Sequence, residues 1–500
     1  MSKTPFLLFC FSFLFTTSLI GQTISSQLID AKTQKGIPYA TVQYGEYQGV
    51  ITNEEGRFSF VVDDTTTLLD SIYVSSMGYA KKGFALEQLQ DSVLALQPKA
   101  IELSGVYLFD KELTVEEILE KMKERLPQNL NNEPVKQRFF LRKSELGNIQ
   151  KVDFGFEKSS IKELNKALMD SLAASIPRNA HHYTETLGDL YLNDGKYKLD
   201  IIKAADLYDK KEIASMEDLG AKMEDIFTKN IKPDSYLKIK SGIFSQKVQV
   251  DSILADMEEE QAEAVQDELE KDSINGLLDG QRYVFRELLK ELYYKEDTKL
   301  DVIDKTRRYD FKLVGYADIA DKGVYVIDFW PDRSSADFKG RLYINIEDFA
   351  VMRMDFENVQ RLRNFKLLGI TYREVLYKGT MRFAQLPNKR YELQFMDLSF
   401  GQYFAVDRPL KVVEKNKNVK GRRKQNELLL NIDFRMGNTN KWELVVFSNS
   451  LIGAPEYEEF TEDKTVEATY MPTYNPEFWQ GYTIMEPNQA IREFTVEEAK

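Results

Sequence analysis

The sequence predicts a multidomain α+β protein: an N-terminal β-sandwich, a mainly helical middle region and a C-terminal antiparallel β-meander, with a half-barrel as one form of that last part. Three observations predict it. Short period-two segments broken by turn residues fill roughly the first hundred residues. A helical period takes over near Leu113, and alternation returns beyond Asp310. At 500 residues the chain exceeds one ordinary core, and its 43% hydrophobic and 12% aromatic content is that of a folding chain.

Residues 1–21 stand apart from all three. They begin with Lys3, run apolar from Phe6 to Phe15 and leave through small residues at Ser18 to Gly21. This is the layout of a secretory signal peptide cleaved before Gln22. The apolar run is shorter than the ~20 residues of a spanning helix. Cys10 sits inside that run, the wrong place for a lipid-bearing cysteine, and it is the chain's single Cys. The mature protein is therefore expected to lack disulfides, zinc–thiolate sites and a cysteine nucleophile. A net charge of −13 argues against nucleic acid as a partner.

Residues 22–107 carry the sandwich. Apolar and polar residues alternate on both sides of Asn53-Glu54-Glu55-Gly56, with Phe58 and Phe60 on one face and Arg57 and Ser59 on the other. That pattern is a β-hairpin, and Gly56 supplies the positive φ its turn needs before the return strand. Strands and turns of similar spacing flank it, which makes a small sandwich rather than an isolated hairpin.

The order of landmarks in this segment is Asp30, Lys35-Gly36-Ile37-Pro38, Ala40-Thr41-Val42, Gly49 to Phe58, and then Ser76-Met77-Gly78-Tyr79, closing with a strand from Leu94 to Val106. It resembles the carboxypeptidase-regulatory-like domain, a transthyretin-like sandwich found on exported proteins of Bacteroidota-type bacteria. The resemblance implies a structural and binding module and carries no peptidase activity with it.

Residues 108–305 are expected to be mainly helical. Val115, Ile118, Leu119 and Met122 share a helical face, Thr114 with Glu117 forms a capping box, and Pro127 is expected to end the helix. The run from Asp251 to Asp272 holds ten acidic residues and one lysine around a stripe of Leu254, Met257, Val265 and Leu269, an amphipathic helix with an acidic outer face.

Residues 306–500 return to strands, ending in an aromatic and proline-rich tail. Leu342, Ile344 and Ile346 alternate on one strand and Met352, Met354 and Phe356 on the next, with a turn at Glu347-Asp348. Further strands are expected at 378–383, 390–400 and 427–434. The segment from Tyr325 to Ile344 and the closing Asn475-Pro476-Glu477-Phe478-Trp479 resemble uncharacterised companions of the same sandwich domain. The meander itself is similar to lipoprotein-carrier half-barrels of the Lol type, which implies an apolar pocket for acyl chains. A transmembrane barrel is disfavoured, because charges such as Lys389-Arg390 and Glu392 occupy both strand faces.

Candidate chemistry is sparse. His182-Tyr183-Thr184-Glu185 has the first half of a zinc carboxypeptidase motif, but the only other histidine is the adjacent His181, so no third histidine ligand exists. No Gly-x-Ser-x-Gly elbow or phosphate-binding glycine loop is present. Asn53 to Gly56 and Asp332 to Asp337 are read as turns, not calcium loops. No catalytic, metal or cofactor residue is assigned.

Two surface features have two readings each. The basic run from Lys411 to Lys424 is a solvated hairpin tip or a contact for anionic lipid or lipopolysaccharide. Tyr470, Tyr474, Phe478, Trp479 and Tyr482 are an interface anchor or a tail packed across the sheet. The sequence therefore points to a non-enzymatic envelope binding or adaptor protein, periplasmic or outer-membrane-associated. Envelope proteins are its expected partners. The alternative is a lipid or lipoprotein carrier with an apolar pocket in the C-terminal sheet, opening beside strands such as Ile344 to Phe356.

Overall fold

The computed structural model describes residues 22–45, 48–62, 71–86, 89, 92–99, 112–252, 276–416, 418, 420 and 423–496. The expected signal peptide, the end of the sandwich segment and nearly all of the acidic run 251–272 lie outside the described residues.

The first strands are β1 (Gln22–Asp30), β2 (Thr41–Gly45), β3 (Gln48–Ile51), β4 (Arg57–Val62), β5 (Ser71–Ser75), β6 (Lys82–Ala85) and β7 (Ser92–Leu96). They form the expected sandwich. One sheet runs β4–β1–β7, with β7 parallel to β1, and the other β6–β5–β2–β3. Inward residues of both sheets, among them Leu28, Val42, Phe58, Phe60, Ile72 and Val74, are buried together, and Tyr44 stacks on Phe60 at 4.4 Å. The hairpin turn is as predicted. Asn53 Oδ1 accepts the N–H groups of Glu55 and Arg57, both at 2.9 Å, and Gly56 adopts φ 77°.

Helix α1 (Val115–Asn129) has its capping box at Thr114 and Glu117. It continues two residues past Pro127, so the proline lies inside the last turn instead of ending the helix before it.

The region beyond departs from the mainly helical expectation. It contains α2 (Lys166–Ser175), α3 (Lys210–Asn230) and α4 (Gly276–Lys290), but also β8 (Val135–Ser159), β9 (Asn179–Asn193), β10 (Lys196–Leu207), β11 (Tyr236–Ser241) and β12 (Phe244–Gln249). Strand β8 is 25 residues long and includes Arg142-Lys143-Ser144-Glu145-Leu146-Gly147, which carries no local strand signal. Pairing decides it, since β8 lies between β9 and a later strand along most of its length.

The meander follows as β13 (Tyr309–Ile319), β14 (Lys322–Pro331), β15 (Phe338–Asn345), β16 (Val351–Asn358), β17 (Arg363–Leu367), β18 (Ile370–Gln385), β19 (Tyr391–Lys415) and β20 (Lys424–Leu451), with a short β21 (Thr469–Tyr470) after it. Antiparallel pairings order the main sheet β10–β9–β8–β20–β19–β18–β16–β15–β14–β13. Thus β8 to β10 and the C-terminal meander share one sheet. It is open, since no pairing among the described residues joins β13 to β10. No helix among them is long and apolar enough to cross a membrane.

Each face of this sheet carries a packed layer, contributed by a different part of the chain. On one face, Phe139, Leu141, Leu190, Ile344, Met354 and Leu444 pack against Ile118 and Met122 of α1 and Val284, Phe285 and Leu288 of α4. On the other, Phe140, Leu187, Phe395 and Val445 pack against the sandwich core and the C-terminal tail. The two are called the helix face and the sandwich face. A one-residue slip of β8 would exchange Phe139 and Leu141 for Phe140 and Arg142, so burial on both sides fixes the register. Trp479, Tyr474 and Phe478 of the tail resolve as packing, whereas Tyr482 stays 36% exposed. Trp479 is 3% exposed with its ring 5.5 Å from Phe140, and β21 adds parallel to β10.

Candidate functional site

The long strands β8, β19 and β20 run beyond α1 and α4. At their far end α2, the Leu164 segment before it and α3 cover the sheet, with Leu164, Met169, Leu172 and Ile226 packed against Leu430. Between the two helical covers lie two adjacent cross-strand rows of apolar residues. One reads Phe365, Tyr372, Phe404, Met436, Ile149, and the other Leu367, Ile370, Val406, Phe434, Val152. Alternation along β19 from Leu398 and Phe400, which pack under the helices, places both rows on the helix face.

These rows are only half covered. Phe365 is 49% exposed, Leu367 50% and Phe404 36%. On the near side the next row is polar, with Glu374, Gln402 and Asn438 in register. On the far side Arg408 and Ile432 begin the α2–α3 cover. The result is a bounded apolar stripe. On the helix face the predicted opening beside Ile344 to Phe356 is filled by α4 and the Leu300 to Ile303 segment. On the opposite side the same strands line a cavity of about 670 Å³, but its walls include the charged Asp328, Arg341, Asp355 and Asp397 rather than an apolar surface.

A separate cavity of about 270 Å³ lies between the end of α4 and the sheet, walled by Leu190, Leu192, Leu289, Leu292, Leu393 and Leu444. Glu392 lies at its edge. Burial pushes the Glu392 carboxyl up to about 7, against the opposing Asn131 amide at 3.2 Å. An unfolded glutamate titrates near 4.3, so the native state favours the protonated acid. That contribution is complete below about pH 4.3 and is lost as the pH climbs towards 7. Glu392→Gln is therefore expected to stabilise the protein by about 1–3 kcal/mol near pH 8 and to be close to neutral near pH 4. Urea unfolding at both pH values checks this, and an equal effect at the two would refute it.

A third feature is the joint between sandwich and sheet. Lys441 Nζ reaches Tyr39 Oη at 2.9 Å, Glu54 at 2.5 Å and Glu443 at 2.9 Å. The carboxylates of Glu443, Asp397 and Glu54 raise the Lys441 pKa against the effect of burial, so the cation holds the two parts together. Beside it a cleft of about 450 Å³ is lined by Gln43, Ser75, Arg353 and Arg382. Arg353 is held by Asp355 at 2.8 and 2.9 Å, whereas the buried Nε of Arg382 has no hydrogen-bond partner. Burial and the nearby Arg353 both work against the Arg382 charge.

The histidines lie on strand β9. His182 sits between Asp206 at 2.9 Å and Glu145 at 3.5 Å, and those hydrogen bonds raise its pKa to about 9. Glu185 pairs with Arg142 on the opposite face of the strand. The two polar ends of His-x-x-Glu thus point apart and cannot share a metal. In the basic run, Lys411 and Lys424 both bind Glu427, at 2.7 and 2.5 Å, and hold its carboxyl down at about 2. The run spans the β19–β20 hairpin, as the first of its two readings expects. The stripe was missed from sequence because its members come from strands far apart in the chain.

No family model matches the chain, and no curated protein does. Solved structures give remote likenesses. A domain named for outer membrane lipoprotein sorting, from Vibrio parahaemolyticus, is 11% identical with a TM-score of 0.21, covering 69% of this chain and 98% of its own. A LolA superfamily protein from Nitrosomonas europaea is 10% identical with a TM-score of 0.17, covering 70% and 99%. A DUF1329 family protein from Desulfovibrio piger is 8% identical with a TM-score of 0.17, covering 69% and 97%.

Proposed function

We propose that this is a non-enzymatic, exported binding protein of the cell envelope, and that its helix face takes the apolar chain of a lipid or lipoprotein. One observation carries the reading: the two apolar rows between the helical covers. Five strands at ~4.8 Å spacing make a stripe about 20 Å wide. A monomer rarely leaves a contiguous apolar patch of that kind uncovered unless it binds something there. The stripe is also long and narrow with polar residues along one border, which suits an extended hydrocarbon chain more than a compact ligand. The sandwich braces the opposite face through Lys441 and serves this reading as scaffold.

Native mass spectrometry of the mature protein, purified gently from its own envelope, tests the proposal. The expected result is a defined extra mass that disappears on solvent extraction. Phe404→Glu places a charge in the middle of the stripe at a partly exposed position, and it is expected to lower ligand occupancy about tenfold or more. A bare protein mass, or full occupancy in Phe404→Glu, would overturn the proposal. Protein partners on the stripe would then be the remaining use of that surface.

A further inference from the structure

Strands β11 and β18 lie end to end along the same side of β19, opposite residues 411–415 and 391–406. Their hairpins therefore point at each other across Asp407 to Leu410. One turn carries Ile243, 81% exposed, and Phe244, 50% exposed; the other carries Leu367 and Leu368, 50% and 47% exposed. The two turns are joined through β19. Arg408 donates to Ser241 O and lies 4.9 Å from the Phe244 ring, while Asp407 N–H donates to Gly369 O at 2.8 Å. Pro409 directs its ring nitrogen into the gap between the turns, where an N–H would find no strand to bond.

Leu368 has φ 48° and Gly369 φ 83°, the positive pair a type I′ hairpin requires. Asparagine, aspartate or glycine occupies the first of these positions without strain; a leucine there is strained, and its side chain is held out into solvent. The charge around the turns is also out of keeping with the chain. Residues 236–249 contain Lys238, Lys240 and Lys247 and no acid, and residues 363–374 contain Arg363, Lys366 and Arg373 against Glu374 alone, in a protein of net charge −13. Asp407 is the acid that lies between the turns.

We propose that the two hairpin tips form a membrane-docking edge, in which Ile243, Phe244 and Leu368 enter the headgroup layer of an anionic bilayer and the flanking lysines and arginines meet its phosphates. Apolar tips ringed by cations match a surface that is negative outside and apolar beneath. A protein partner with an acidic groove would need the basic residues but not three exposed bulky apolar side chains at the turns.

Co-sedimentation of the full mature chain with phosphatidylglycerol–phosphatidylethanolamine vesicles tests the edge. Binding is expected to fall by about tenfold or more in pure phosphatidylcholine and in high salt. It is expected to fall similarly in the double variant Ile243→Asp with Phe244→Asp, and in Lys238→Gln with Lys240→Gln and Lys247→Gln. All five positions lie outside the buried cores, and an unchanged thermal transition confirms that the variants fold. Failure to bind anionic vesicles, equal binding to neutral ones, or binding unaffected by both variants would overturn the proposal. The stripe is tested separately, since Phe404→Glu is expected to empty it while leaving vesicle binding intact.

Discussion

Glu185→Ala is expected to remove about 3–5 kcal/mol of stability, because it leaves a fully buried guanidinium without its counter-charge. Arg142 and Glu185 are 1% and 0% exposed, with Nη2 to Oε1 at 2.7 Å. Trp479 donates Nε1–H to the other carboxylate oxygen at 2.8 Å, and Arg142 donates to the carbonyls of Met485 at 2.6 Å and Glu486 at 3.1 Å. The pair thus fastens the C-terminal tail to β8 and β9. Loss of Glu185 strips Trp479 of its partner as well, so tryptophan fluorescence should report the tail leaving before the sheet unfolds. Pairing Arg142→Met with Glu185→Leu is expected to recover part of the loss, since the burial cost of both ions disappears together. A single-variant loss under about 1 kcal/mol would show that water reaches the site and that the tail is not fastened there.

Gly56→Ala is expected to cost about 3 kcal/mol or more and to unfold the sandwich first. Two costs add. A non-glycine residue at φ 77° loses about 1–2 kcal/mol. A Cβ there would stand 2.2 Å from Leu28 O and 2.8 Å from Ile37 N, both backbone atoms that cannot turn aside. Overpacking of that kind typically adds about 1–3 kcal/mol. Gly78 separates the two effects, because it has the same φ but nothing within 4 Å of its ideal Cβ. Gly78→Ala should therefore show only the backbone cost, about 1–2 kcal/mol. Equal losses at the two glycines would mean that the β1–β4 contact relaxes freely.

The second prediction was legible in the sequence and the first was not. Asn53 to Gly56 with its flanking alternation states a local requirement, and local requirements survive into the fold. The same holds for the Thr114–Glu117 capping box, the sandwich strands and the short strands of the meander. Glu185 was visible only as half of a metal motif. Its partner Arg142 is 43 positions away, and only the β8–β9 register sets the two side by side.

The sequence by itself determined the sandwich, the helix start at Thr114, the antiparallel character of the C-terminal part and the lack of a third histidine for zinc. Each follows from neighbours within a few residues, where turn geometry, capping and side-chain period act directly. Tertiary structure alone decided that residues 135–207 join the meander in one sheet, and that Gly437-Asn438-Thr439-Asn440, which reads as a turn, runs straight through the middle of β20. It also decided that the apolar stripe assembles from β17, β18, β19, β20 and β8. The reason is pairing. A strand hydrogen-bonded on both sides keeps its extended form whatever its own propensity, and for β8 and β20 one of the two bonded neighbours is a segment more than two hundred residues away.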